Sequence, residues 1–184
     1  MPSPFAHMAA GYIVYRFFKR RTPKSIRLWI IPGQLAAFAG LSLLPDLDAL
    51  PGIILGDFGR FHNNFTHSLT MGLVVALVFA SLVSWMSKVS WNAWFSAALI
   101  CYELHVIMDM FTGDRGVMLL WPFTSTRFTA PLKLFAGVQW GHGFLSAWHL
   151  WTLFTEGLFF AIVLLIINRL YKNRPAQLGQ SQER

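Results

Sequence analysis

The apolar residues of this chain come in blocks, and block length limits what it can fold into. The main apolar stretches run from Leu28 to Leu44, Leu69 to Met86, Trp91 to Phe111 and Leu150 to Ile167, with a shorter one from Pro4 to Phe18. Crossing a hydrocarbon core of about 30 Å takes about 17–25 helical residues. Four blocks meet that length and the first is marginal. Charge agrees: 12% of the 184 residues are charged, against about 25% in soluble domains. The expected fold is therefore all-α, an integral membrane bundle of four to five transmembrane helices. We read one membrane-embedded domain over 1–172 and a polar cytoplasmic tail over 173–184. The N-terminus lacks the basic region and cleavage site of a signal peptide, so the first block is expected to stay in the mature chain. The single cysteine, Cys101, lies within an apolar block and admits no internal disulfide.

The net charge of +7 could suggest nucleic acid, but its distribution argues against that. Arg16, Lys19, Arg20, Arg21, Lys24 and Arg27 sit between the first two blocks, and Arg169, Lys172 and Arg174 follow the last. Such clusters beside spans mark the cytoplasmic side and meet anionic lipid there. No nucleic-acid partner is expected; membrane lipid is. With that loop fixed inside, Lys88 falls in an inner turn, and Asp46, Asp48, the segment to His67, and the His105/Asp109 end of the fourth block all fall outside. If the first block spans, His7 lies at the outer rim. Only apolar length and Lys/Arg positions entered this threading, yet the histidines and nearly all the aspartates gather in the outer half.

Four short motifs carry that chemistry. His105 and Asp109 are four apart and share a helix face, where they can grip one cation or form a buried pair that locks helices. Asp46 and Asp48 flank Leu47 just after Pro45; paired carboxylates concentrate negative charge that a divalent ion relieves, although aspartates after proline also cap turns. His62 and His67 bracket Asn63-Asn64-Phe65-Thr66, a spacing that suits a loop entering the third helix. Thr66 or Ser68 is placed to cap it. His7 sits among Ala6, Ala9, Ala10 and Gly11, small neighbours that permit close helix packing.

The remaining candidates read differently. Glu103 is offset by about 200° and 240° from His105 and Asp109, so it points away from them. Glu156 shares a stripe with His149 but lies about 10 Å along the axis. Both glutamates read as supporting or helix-pairing groups. His142 and His149, among Trp140, Trp148 and Trp151, read as part of an aromatic interfacial belt.

As an ordered set, His7, Pro45-Asp46-Leu47-Asp48, His62 to Ser68, His105-Val-Ile-Met-Asp109, Thr112-Gly113 and Leu119-Leu120-Trp121-Pro122 resemble the YdjM-type family over about residues 5–125. That family comprises bacterial inner-membrane, metal-dependent hydrolases, also described as LexA-binding; no feature of this sequence accounts for LexA binding. Members often carry an Arg-Gly pair where this chain has Asn63 and Asn64. If that arginine binds a substrate phosphate, Arg60, Arg115 or Arg127 must replace it. The His-x-x-x-Asp pair is also similar to all-helical zinc phospholipases and nucleases, in no residue beyond His105 and Asp109.

Together the resemblance and the threading imply a site for one or two divalent ions, zinc by its mixed His/Asp donors, with manganese or iron as alternatives. His7, Asp48, His62, His67, His105 and Asp109 are the expected metal residues, and Asp46 or Asp48 the expected catalytic carboxylate. The expected reaction is hydrolysis of a phosphoester or other ester, lipid or small molecule, by activated water. No glycine-framed serine elbow is present. The rival readings are a metal or proton transporter or sensor using Glu103 and Glu156, and a scaffold whose polar groups only pin helices. Oligomeric state is left open.

Overall fold

The computed structural model describes residues 1–21, 31–57, 60–86, 90–113, 115–138 and 146–172. Lys24, Arg27, Lys88, Trp140, His142, Arg174 and the 173–184 tail lie outside them. The described residues form helices and loops without a strand: α1 (Pro4–Arg21), α2 (Ile31–Leu43), a 3-10 turn (Leu44–Asp48), α3 (Ala49–Ile54), α4 (Leu69–Met86), α5 (Trp91–Met110) and α6 (Ala147–Lys172). Four helical stretches are long and apolar enough to cross a membrane: Gly33–Ile54, Leu69–Met86, Trp91–Met110 and Ala147–Lys172. α1 runs beside α6 in the same direction. Ser3 meets Glu156 at one end and Arg16 meets Asn168 at the other.

The second span differs from its expected form. Pro45 interrupts the helix, as a proline inside an apolar run must, but the backbone continues as a tighter 3-10 turn and then as α3. α2 alone covers only about 20 Å at about 1.5 Å per residue. The span is completed through the turn and α3 to Ile54, and irregular backbone within a span is tolerated where it lines a polar site.

α5 is the axis of the bundle, with nine buried positions from Trp94 to Asp109. It pairs with α4 through small residues: Gly72, Ala76 and Ala80 recur every four residues and are buried against Ala97, Ala98 and Cys101. Between helices in lipid, close backbone approach through small residues is a main source of packing energy. α1 meets α2 in the same way. A Cβ on Gly11 would lie 2.5 Å from Ser42 Oγ and 2.7 Å from the Phe38 carbonyl oxygen, so only glycine fits. Tyr15, Phe38, Leu41 and Trp94 fill the core below that crossing. Ser68, of the two expected caps, performs that role: Met71 N–H donates to its hydroxyl at 3.3 Å.

Candidate metal centre

The helix ends opposite Arg16, Lys19, Arg169 and Lys172 hold a cluster drawn from four places in the chain. His7 comes from the first turn of α1, Asp46 and Asp48 from the 3-10 turn, His62 and His67 from the loop before α4, and His105 and Asp109 from the last turns of α5. All seven expected site residues are brought together.

The inner group is Asp46, His67, His105 and Asp109. His105 Nε2 lies 3.2 Å from His67 Nε2, 3.3 Å from Asp46 Oδ1 and 3.8 Å from Asp109 Oδ2. His67 Nε2 lies 3.7 Å from Asp46 Oδ1 and 3.3 Å from Asp109 Oδ2. Donors at about 2.0–2.1 Å from a tetrahedral ion stand about 3.3–3.4 Å apart, so these separations are close to those of a group that could hold a cation.

Hydrogen bonds behind the rings fix which nitrogen faces inward. His105 Nδ1 is 2.6 Å from the Ser42 carbonyl, which can only accept, so Nδ1 carries a proton and Nε2 is the ring nitrogen turned inward. His67 Nδ1 is 3.2 Å from Asp48 Oδ2, and that carboxylate also accepts the Thr66 hydroxyl. A carboxylate behind a histidine is the arrangement that orients imidazole ligands and raises their basicity. The two Nε2 atoms thus face each other at 3.2 Å, a separation that a shared proton or a bound cation between them accounts for.

Electrostatics make the same demand. Both oxygens of Asp46, both of Asp109 and both nitrogens of His7 are buried without a hydrogen bond. Carboxylates left so are costly unless a cation satisfies them. Burial pulls the His67 imidazole down, but Asp109, Asp46 and Asp48 outweigh it and hold its pKa well above the ordinary value. The residues present therefore fit a divalent ion.

His7 and His62 flank this group. His7 stacks on His105 with centroids 3.6 Å apart, and its Nε2 is 3.4 Å from Asp109 Oδ1. His62 Nδ1 is 2.8 Å from Asp48 Oδ1, and its Nε2 is 3.8 Å from Asp46 Oδ1. Asp48, His62 and His67 make a second group that could hold an ion. A neutral imidazole has one lone pair, so His67 cannot serve both groups at once without losing a second proton.

The supporting residues were less legible. Arg127 donates to the Asn63 carbonyl at 2.8 Å, to the Gly116 carbonyl at 3.0 Å and to Asn64 Oδ1 at 2.7 Å. Arg115 donates to the His62 carbonyl. Two of the three arginines expected to replace the family's phosphate-binding residue therefore brace the histidine loop. Asn63 adopts a φ of 59°, a left-handed conformation that asparagine tolerates better than most residues. Glu103 faces Gly72 on α4, and Glu156 accepts from Ser3 N–H at 3.0 Å; both pair helices and neither touches the cluster. His149 lines a cavity with Ser3 and Thr152, away from it. Ser42 and Ser3 were missed. Ser42 acts through its carbonyl, which leaves no trace in residue type, whereas Ser3 before Pro4 carried a readable N-cap signal.

A helical membrane protein with a buried histidine–aspartate cage at one end of its bundle is the class these contacts define. The chain belongs to the YdjM inner membrane protein family, which it matches over residues 1–176. It is 38% identical over 120 residues to the inner membrane protein YbcI of Escherichia coli (strain K12), a match covering 57% of this chain and 63% of that relative, so the chain spans less than two thirds of the relative's length. No solved structure matches.

Proposed function

We propose that the cluster is the active site of a metal-dependent hydrolase at the outer face of the inner membrane, acting on a lipid phosphoester. The observation that supports the metal is the pair of inward ring nitrogens, His67 Nε2 and His105 Nε2, held 3.2 Å apart beside two buried carboxylates whose oxygens make no hydrogen bond. His67, His105 and Asp109 are the three protein ligands, the number usual for a catalytic zinc that keeps one position open. Asp46 lies beside that open position. Its side chain is 14% exposed where the other three are at 0%, so it is the one of the four nearest the surface. A bound divalent ion supplies an acidified water and stabilises charge on the attacked group. Asp46 accepts the proton that water gives up. Asp48 holds His67 in the required tautomer, and His62 and His7 buttress Asp48 and Asp109 or take a second ion.

The mouth supports a lipid substrate. Leu47, Leu50, Ile54 and Leu55 beside Asp46 and Asp48, and Phe65 beside Thr66, are exposed and apolar. A site for soluble esters would be rimmed by polar groups, whereas an apolar rim accommodates the chains of an amphiphile while its headgroup reaches Asp46. The outer-face assignment rests on the basic residues at the opposite helix ends, which also puts the C-terminus in the cytoplasm. Neither glutamate connects with the cluster, which favours this reading over a transport path.

The test is elemental analysis of the purified protein, followed by assay of lipid phosphoesters. The wild type should carry near-stoichiometric zinc, manganese or iron. His105→Ala with Asp109→Ala should fold without it. Asp46→Asn should keep the metal and lose turnover by about 100-fold or more. A wild type that takes up no divalent ion on reconstitution overturns the proposal.

A further inference from the structure

The metal centre uses one face of α1; another face, carrying Phe5, Ala9, Ile13 and Arg16, is turned to α6 and is not filled. Cavities follow one another along that seam. One of about 220 Å³ lies by Ala9, Leu153 and Gly157, and another, about 300 Å³, by Ile13, Phe17, Leu164, Ile167 and Leu170. The walls of the second are aliphatic or aromatic except where Arg16 and Tyr171 close its end. Arg16 is steered there by its bond to Asn168 Oδ1 at 2.8 Å. Lys19, one turn on, and Arg169 and Lys172 on α6 place further positive charge at the same level.

A narrow apolar groove along a transmembrane helix pair, ending in cations, has the chemistry of an anionic amphiphile. We propose that the α1–α6 groove binds one anionic phospholipid of the leaflet at the basic end, its acyl chain lying along Ile13, Leu164 and Ile167 and its phosphate on Arg16. Guanidinium forks match phosphate oxygens in a two-bond geometry that ammonium groups do not offer. A second copy of the chain is disfavoured as occupant, because it would bring the same arginines and lysines against these. A zwitterionic lipid would satisfy the walls equally but not the charge. The site is separate from the metal centre and does not depend on its activity.

The experiment is native mass spectrometry of the full chain in mild detergent with phosphatidylglycerol and phosphatidylcholine of matched chains. Wild type should retain a single phosphatidylglycerol, at least about tenfold over phosphatidylcholine. Arg16→Gln should abolish the preference, and Ile167→Trp, which fills the groove, should abolish retention of both. Thermal unfolding in detergent serves as the folding control, with both variants expected to melt within a few degrees of wild type. Equal retention of the two lipids overturns the proposal, as does lipid retention that survives Ile167→Trp. A lipid-free dimer dispersed by Ile167→Trp would assign the groove to a second copy and overturn it equally.

Discussion

α1 has two faces made from similar residues and put to different ends. On one, His7, Gly11 and Val14 recur at helical spacing and are buried against α2 and α5. On the other, Phe5 and Phe17 stay exposed and cavities separate the helix from α6. Hydrophobicity does not distinguish the faces, because lipid is as apolar as leucine and gives helices no reason to meet. The tight face closes because a glycine lets two backbones touch and because the cluster above it needs its donors held in place. The slack face is joined by hydrogen bonds at its ends, Ser3 with Glu156 and Arg16 with Asn168, and between them Ala6 and Ala10 share a small apolar cluster with Phe160.

That contrast can be broken most severely at Gly11. Gly11→Leu should destabilise by about 3 kcal/mol and lower metal content as His7 moves, measured by thermal unfolding in detergent and by elemental analysis. An unchanged melting temperature would mean the tight face is not tight. The next effect is confined to the centre. Asp48→Asn should weaken metal affinity by about 10–100-fold with the fold retained, read by titration against a chelator; affinity equal to wild type would remove Asp48 from the support of His67. On the slack face, Glu156→Ala leaves the Ser3 N–H and hydroxyl without their acceptor and should cost about 1–2 kcal/mol, with a smaller loss of metal through His7. The smallest effect is expected at Gly157. A Cβ there meets nothing, so Gly157→Ala should be neutral or stabilising by up to about 1 kcal/mol. A loss of stability at Gly157 comparable to that at Gly11 would erase the distinction between the faces.

How far these features could be read beforehand follows from what side chains announce. Apolar length fixed the spans of α4, α5 and α6 closely, because bilayer thickness leaves little choice. It ended the second span at Pro45, where the backbone in fact carries on through the 3-10 turn to Ile54. Proline identity tells that a hydrogen bond is lost, not that neighbours will keep the chain turning. His105 and Asp109 were legible because their contact is set by one helix. The gathering of His7, Asp46, Asp48, His62 and His67 around them was legible only as a shared membrane side. The division of labour among them was not, because it depends on a Ser42 carbonyl and on which oxygen of Asp48 the loop presents. Glu156 was grouped with His149 by helical stripe, while its partner Ser3 lies 153 residues away.

The Ser3–Glu156 contact has a consequence for biosynthesis. A ribosome delivers α1 to the membrane well before it has made residue 156, so α1 enters the bilayer with the Ser3 N–H still without the Glu156 acceptor. The hydroxyl of Ser3 answers Ala6, but the acceptor for Ser3 itself arrives only with the last helix. His7 sits one turn further along, so the oldest part of the cluster is secured by the youngest part of the chain. A nascent protein stalled before α6 would hold Asp46, His67, His105 and Asp109 within reach of one another while its first histidine still waited for an anchor.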